Sequence, residues 1–142
     1  MDDPAELSDT TTPIAALKAT LARFNADRGW GRFHTPQHLA MALSAESAEL
    51  LELFLWKQEA DLPRRERLAE EMADVLICLV NLANRLDLDL MAATADKLMK
   101  NAAKYPVAAS FGNATKWDAL DKAAAPASES NVKESPTTGT DP

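Results

Sequence analysis

Two pairs of acids sit at helical spacing inside runs that otherwise belong in a core. Glu46 and Glu49 lie within LAMALSAESAELLELF (39–54), and Glu71 and Asp74 lie within EEMADVLICLV (70–80). Leu39, Leu43, Leu50 and Leu53 make an apolar helical stripe, and Glu46 stands where that stripe should continue. Glu49 follows three residues later and shares its face. Acids in a core-bound stripe are costly unless something positive meets them. If the two helices pack against each other, four carboxylates converge, and at neutral pH they repel unless protonated or bridged by a cation. A ligand set of hard oxygens alone suits Mg²⁺, with Mn²⁺ as the alternative, rather than zinc. A di-iron carboxylate centre would need Glu-x-x-His pairs, and neither His34 nor His38 has that spacing from these acids. Glu70 points away from the pair and reads as solvated.

Magnesium held by carboxylates keeps positions open for water and for substrate phosphates. It neutralises a polyphosphate and lowers the pKa of a bound water, so phosphoryl chemistry is the natural use. Further along the chain Lys97, Asn101 and Lys104 are spaced by four and three, which puts them on one helical face able to offset phosphate charge. Trp30, Phe33 and Trp56 lie just beyond helix ends, where aromatic faces can stack on a base. His34 is close enough in sequence to reach a base or a phosphate.

These residues need rigid helices to hold them. Thr12-Pro13 and Thr35-Pro36 are each a capping residue followed by proline at the first helical position. The chain is predicted to be all-α, a four-helix bundle with helices at about 13–28, 36–56, 63–86 and 89–105. The short loop at 57–62, with Pro63 opening the third helix, makes the second and third helices antiparallel neighbours. Leu68, Met72, Val75, Leu76, Leu79, Val80, Ala83 and Leu86 give the third helix an apolar surface wide enough for burial on more than one side. Asp87 or Asp89 caps the fourth, with Leu90, Met91, Leu98 and Met99 inside. Residues 1–11 are expected to be a flexible arm and 12–120 the functional domain, with Phe111 and Trp117 docking its end. Residues 121–142, rich in Ala, Pro, Ser and Thr, are expected to be a disordered tail.

Composition agrees with that picture. Apolar residues make up 46% and aromatics 6%, with only four glycines, as suits a helical domain. A net charge of −7 excludes a polymeric nucleic-acid surface, which requires clustered Lys and Arg. The apolar run Val75 to Asn84, ten residues without charge, is too short to span a bilayer. The acidic N-terminus lacks the basic and apolar parts of a secretion signal. The single cysteine, Cys78, reads as a buried, reduced thiol, and the expected location is cytoplasmic.

Taken together, RGWGRFHTPQHLAMALSAESAELLELFLW (28–56), EEMADVLICLV and DKLMKNAAKYP (96–106) resemble the MazG-like all-α nucleoside triphosphate pyrophosphohydrolases, above all the dCTP pyrophosphatase branch. The resemblance covers residues 14 to 120. It implies Mg²⁺-dependent hydrolysis of a (d)NTP to monophosphate and pyrophosphate. It matches Glu46, Glu49, Glu71 and Asp74 to metal ligands, with Glu46 or Glu49 orienting the attacking water. Trp30, His34 and Trp56 match base-contacting positions. Lys97, Asn101, Lys104 and Tyr105 match the segment that handles phosphates, and a homodimer or homotetramer is implied. One position departs: where the dCTP-preferring relatives carry a tyrosine near the nucleotide, this chain has Cys78, so base preference is not carried over. The rival reading from another class is a non-catalytic helical bundle that binds a nucleotide or a partner protein.

Overall fold

The computed structural model describes residues 7–56, 64–112 and 114–116. Every regular element among them is helical: α1 (Ile14–Asp27), a 3₁₀ turn (Trp30–Arg32), α2 (Pro36–Glu52), α3 (Arg65–Arg85), α4 (Leu90–Lys104) and a short α5 (Val107–Ser110). The all-α expectation is met, with the four main helices where the apolar periodicity places them. The chain falls into two compact units, Met1–Ala95 and Asp96–Pro142, and the division lies within α4. Pro63, Trp117, the loop at 57–62 and the expected tail lie outside the described residues.

Local signals account for the helix ends. Thr35 caps α2, its Oγ1 accepting from the His38 amide at 3.2 Å, with Pro36 at the first helical position. At α1 the device shifts by one residue. Pro13 takes the cap position, and Thr12 Oγ1 accepts from the Ser8 amide at 3.0 Å instead. Residues 8–12 therefore form a hydrogen-bonded turn within the segment expected to be a flexible arm. Asp87 and Asp89 divide the labour between two helices. Asp87 sits in the left-handed region (φ 51) where α3 ends, its amide donating to the Asn84 carbonyl and the Leu88 amide to the Ala83 carbonyl. This pair of bonds is the Schellman termination, with aspartate where glycine is usual. Asp89 caps α4, its Oδ1 accepting from the Ala92 amide at 2.9 Å.

Helix α3 is the shared element of the first unit and packs on both α1 and α2. Its buried side carries Val80, fully enclosed, and Ala83, which meet a core that includes Leu39 and Leu53 of the α2 segment. Polar links fasten α1 to α3. Asn84 Nδ2 donates to the Lys18 carbonyl at 2.9 Å, and Lys18 Nζ donates to the Leu88 carbonyl at 2.8 Å. The second apolar side expected of α3 is present but faces outward: Met72, Leu76 and Leu79, spaced by four and three, are exposed. On α4 the expected interior positions Met91, Leu98 and Met99 are also more than half exposed, while Leu90 is half-buried. These helices are amphipathic, and among the described residues part of each apolar side is exposed. No helix of the described residues is long and apolar enough to cross a membrane.

Candidate active site

The two acidic motifs meet because α2 and α3 run antiparallel. Toward the start of α2, Leu39 and Ala42 share a cavity with Cys78 and Asn81. One to two turns on, Glu46 and Glu49 converge with Glu71. Numbers rise along α2 as they fall along α3, as an antiparallel pair requires. Glu46, Glu49 and Glu71 each bring a carboxylate oxygen within 4.8 Å of the others. Glu71 is buried, Glu46 half-buried and Glu49 exposed, so the cluster opens to solvent on the Glu49 side. Arg67, one turn back on α3, places Nη2 3.4 Å from Glu71 Oε1 and meets part of that charge.

Glu46 records the crowding. Burial, then the carboxylates of Glu49, Asp74 and Glu71, push its carboxyl above the ordinary value. Asp74 therefore belongs electrostatically to the site although it stands outside the closest group of three. Cys78 is half-buried rather than fully enclosed, and its thiol is raised by burial and by Glu46 and Asp74. Glu70 is exposed, as its register on α3 predicts.

Beside the carboxylates lies a cavity of about 520 Å³ walled by α1, the 3₁₀ turn, α2 and α3. It neighbours the acidic cluster along the helices: Ala42 and Cys78 line it, and Glu46 and Asp74 are each four residues away, about 6 Å along their helices. Trp30 and His34, both expected at the base, line this cavity, as does Cys78. The turn that carries the tryptophan is fixed by Gly29, whose φ of 62 suits glycine, and by ring contacts. Phe24 meets Trp30 edge-on at 5.9 Å, and Trp30 lies 6.0 Å from His34. Arg28 covers the Phe24 ring at 3.5 Å. His38 also reaches the cavity, its Nδ1 donating to the Phe33 carbonyl at 3.1 Å, so a neutral ring presents Nε2 as an acceptor.

Other expected positions are placed elsewhere. Phe33 is 55% exposed beneath Arg32 and does not line the cavity. Trp56 does not line it either. It is 99% exposed, just past α2, with a backbone φ of 60 that is strained for a bulky residue. Lys97, Asn101, Lys104 and Tyr105 belong to the second unit. There the three polar residues keep their common face on α4, Asn101 is half-buried, and the Tyr105 amide donates to the Asn101 carbonyl at 2.9 Å.

Several members of the cavity wall are not announced by the sequence. Leu7, expected in a flexible arm, lines it, as do Phe24, Asn25 and Asn81. Asn25 Nδ2 donates to Asn81 Oδ1 at 2.8 Å, linking α1 to α3 inside the cavity. Asn81 was detectable as the polar interruption of VLICLVNLAN, by the same logic that singled out Glu46.

Comparison with known proteins agrees with this geometry. Residues 41–120, which carry both acidic motifs, match the model of the MazG-like family. The chain is 44% identical over 108 residues to dCTP pyrophosphatase 1 of Mus musculus, a match covering 71% of this chain and 64% of the relative. It is 39% identical over 125 residues to dCTP pyrophosphatase 1 of Homo sapiens, covering 82% and 74%. The chain thus spans slightly less than two thirds of the length of the mouse relative. Among solved structures it is similar to a pyrophosphatase from Archaeoglobus fulgidus, with a TM-score of 0.62 and 36% identity over 71% of this chain and 99% of that one. With the acidic motifs paired across α2 and α3 inside the matched segment, this chain belongs to the MazG-like family.

Proposed function

We propose that this chain hydrolyses (deoxy)nucleoside triphosphates to the monophosphate and pyrophosphate, with Mg²⁺ as cofactor and dCTP or related or modified deoxynucleotides as candidate substrates. The observation that carries the reading is one carboxylate cluster adjoining one base-sized, aromatic-edged cavity on a shared pair of helices. Relatives that bear the name dCTP pyrophosphatase 1 support the reaction class.

The donor set fits a hard divalent cation. Three carboxylate oxygens within 4.8 Å, with Glu46 raised by burial and then by its acidic neighbours, make a site that repels itself until a cation joins it. Glu46, Glu49 and Glu71 would hold Mg²⁺, with Asp74 beside them, and Mn²⁺ satisfies the same oxygens. When bound, the ion offsets phosphate charge and lowers the pKa of a water. The chain's residues do the rest. Trp30, His34 and Cys78 wall the base. Glu49, the solvent-facing acid, with Glu46 behind it, orients a water and accepts its proton. A new P–O bond forms from the water oxygen as the bridging P–O bond breaks, and pyrophosphate carries off the bond's electron pair.

A homodimer or homotetramer goes with this reading. The outward apolar stripe of Met72, Leu76 and Leu79 supports it, because contiguous exposed apolar surface marks interfaces. A cytoplasmic location goes with it as well, supported by the half-buried free thiol of Cys78.

The test is pyrophosphate release from a panel of canonical and modified NTPs and dNTPs by the purified full chain in excess MgCl₂. Turnover of at least one member is expected, and it should stop on chelation. Silence across the whole panel refutes the proposal.

A further inference from the structure

The cavity wall is mostly carbon, and two carboxamides interrupt it. Asn81 on α3 is only 8% exposed, and Asn25 on α1 is half-buried, its Nδ2 donating to Asn81 Oδ1 at 2.8 Å. Each carboxamide has two N–H donors and an oxygen with two lone pairs. Their mutual bond uses one donor and one lone pair. The complementary atoms, Asn25 Oδ1 and Asn81 Nδ2, form an acceptor and a donor at the same junction. Among the described residues no other side chain hydrogen-bonds to this pair.

A helix clamp alone does not require this arrangement. Helices α1 and α3 are already joined by Asn84 and Lys18, which do not line this cavity and use backbone acceptors. Polar atoms in an apolar cavity cost stability unless a partner satisfies them. Aromatic stacking on Trp30 is tolerant of base identity. A site that hydrogen-bonds a substrate edge discriminates far more sharply than one that only fills apolar volume.

We propose that the Asn25–Asn81 pair reads the hydrogen-bonding edge of the nucleobase and sets this chain's base preference; the inference rests on a nucleotide occupying the cavity beside the carboxylates. A paired donor and acceptor engages a base edge that offers an acceptor next to a donor, such as the ring nitrogen and amino group of cytosine or adenine. This is the bidentate pattern by which carboxamides recognise bases in nucleic acids.

The pattern can be rewritten with one atom. In Asn25→Asp the carboxylate accepts from Asn81 Nδ2, and the pair then shows the base two acceptors. Guanine offers two adjacent donors, its ring N–H and its amino group, so it alone is matched. The ratio of kcat/KM for guanine to that for cytosine nucleotides should rise by about tenfold or more. Asn25→Ala and Asn81→Ala should instead flatten the preference, mainly through KM, with kcat largely kept. Titration of the four nucleoside monophosphates in EDTA reads the same preference without metal or turnover. If triphosphates are not hydrolysed but monophosphate preference still shifts with Asn25→Asp, the hydrolase reading falls and this one stands. Base ratios unchanged in Asn25→Asp in both assays reduce the pair to a helix clamp and overturn the proposal. So does an absence of monophosphate binding by the unmodified chain. Should Asn81→Ala fail to fold, Asn25→Asp, which keeps the interhelical bond, still decides.

Discussion

Neutralising Glu46 should make the metal-free protein more stable and deaf to magnesium. Glu46→Gln keeps the side chain's size and removes its charge. The carboxyl of Glu46 is raised by burial and by Glu49, Asp74 and Glu71, so its folded pKa lies above its unfolded one. An acid shifted that way favours the fold when protonated. Its contribution is complete below the unfolded pKa and is lost as pH rises through the folded pKa. Wherever Glu46 is ionised, the native state carries the full repulsion. Two unit charges 4.8 Å apart repel by about 0.9 kcal/mol in bulk water and by about 3.5 kcal/mol at an effective dielectric of about 20. Glu49 is exposed and Arg67 partly neutralises Glu71, so the watery limit governs. Removing the interactions of Glu46 with Glu49 and Glu71 should return roughly 1–2 kcal/mol, or roughly 3–8 °C in melting temperature for a chain of this size. The assay is far-UV circular dichroism melting in EDTA and in excess MgCl₂ at constant ionic strength, with Glu70→Gln as an exposed control. The unmodified chain should gain about 2.7 kcal/mol at a hundredfold excess over Kd, and Glu46→Gln should gain far less. A lower melting point than the unmodified chain in EDTA, or an undiminished response to Mg²⁺, refutes the electrostatic reasoning.

Glu49→Gln should lower pyrophosphate release by at least about a hundredfold with the helical spectrum unchanged, as measured by steady-state turnover beside circular dichroism. The Cys78 thiol, raised by burial and by Glu46 and Asp74, should alkylate slowly at neutral pH in EDTA. Glu46→Gln removes one of those charges and should speed the reaction, which mass spectrometry follows; an unchanged rate would deny the coupling. Leu39→Ala should cost about 3 kcal/mol in urea unfolding, because this leucine is 4% exposed in the core beside the cavity.

Much of this architecture is legible in the chain because its signals are local. Thr35-Pro36 announces the start of α2, and Asp89 caps α4 through a bond spanning three residues. The acids were conspicuous because they break an apolar period, and Glu71, the one most deeply placed, is buried as that break implies. Tertiary partnership was harder to read. Asn25 and Asn81 are 56 positions apart, and neither residue alone announces the other. Asp87 looked like a helix start and serves as a helix end, because its left-handed backbone depends on the path the chain takes next. Trp56 was grouped with Trp30 by type, yet the backbone turns it into solvent while Trp30 is held by Phe24 and His34.

Helix α1 walls the cavity with Leu21, Phe24 and Asn25 but contributes none of the clustered carboxylates, all of which stand on α2 and α3. A change on α1 can therefore reshape the cavity wall without removing a clustered carboxylate. Variation along α1 thus offers a route by which descendants of a common ancestor change what the cavity holds while the carboxylates on α2 and α3 stay in place.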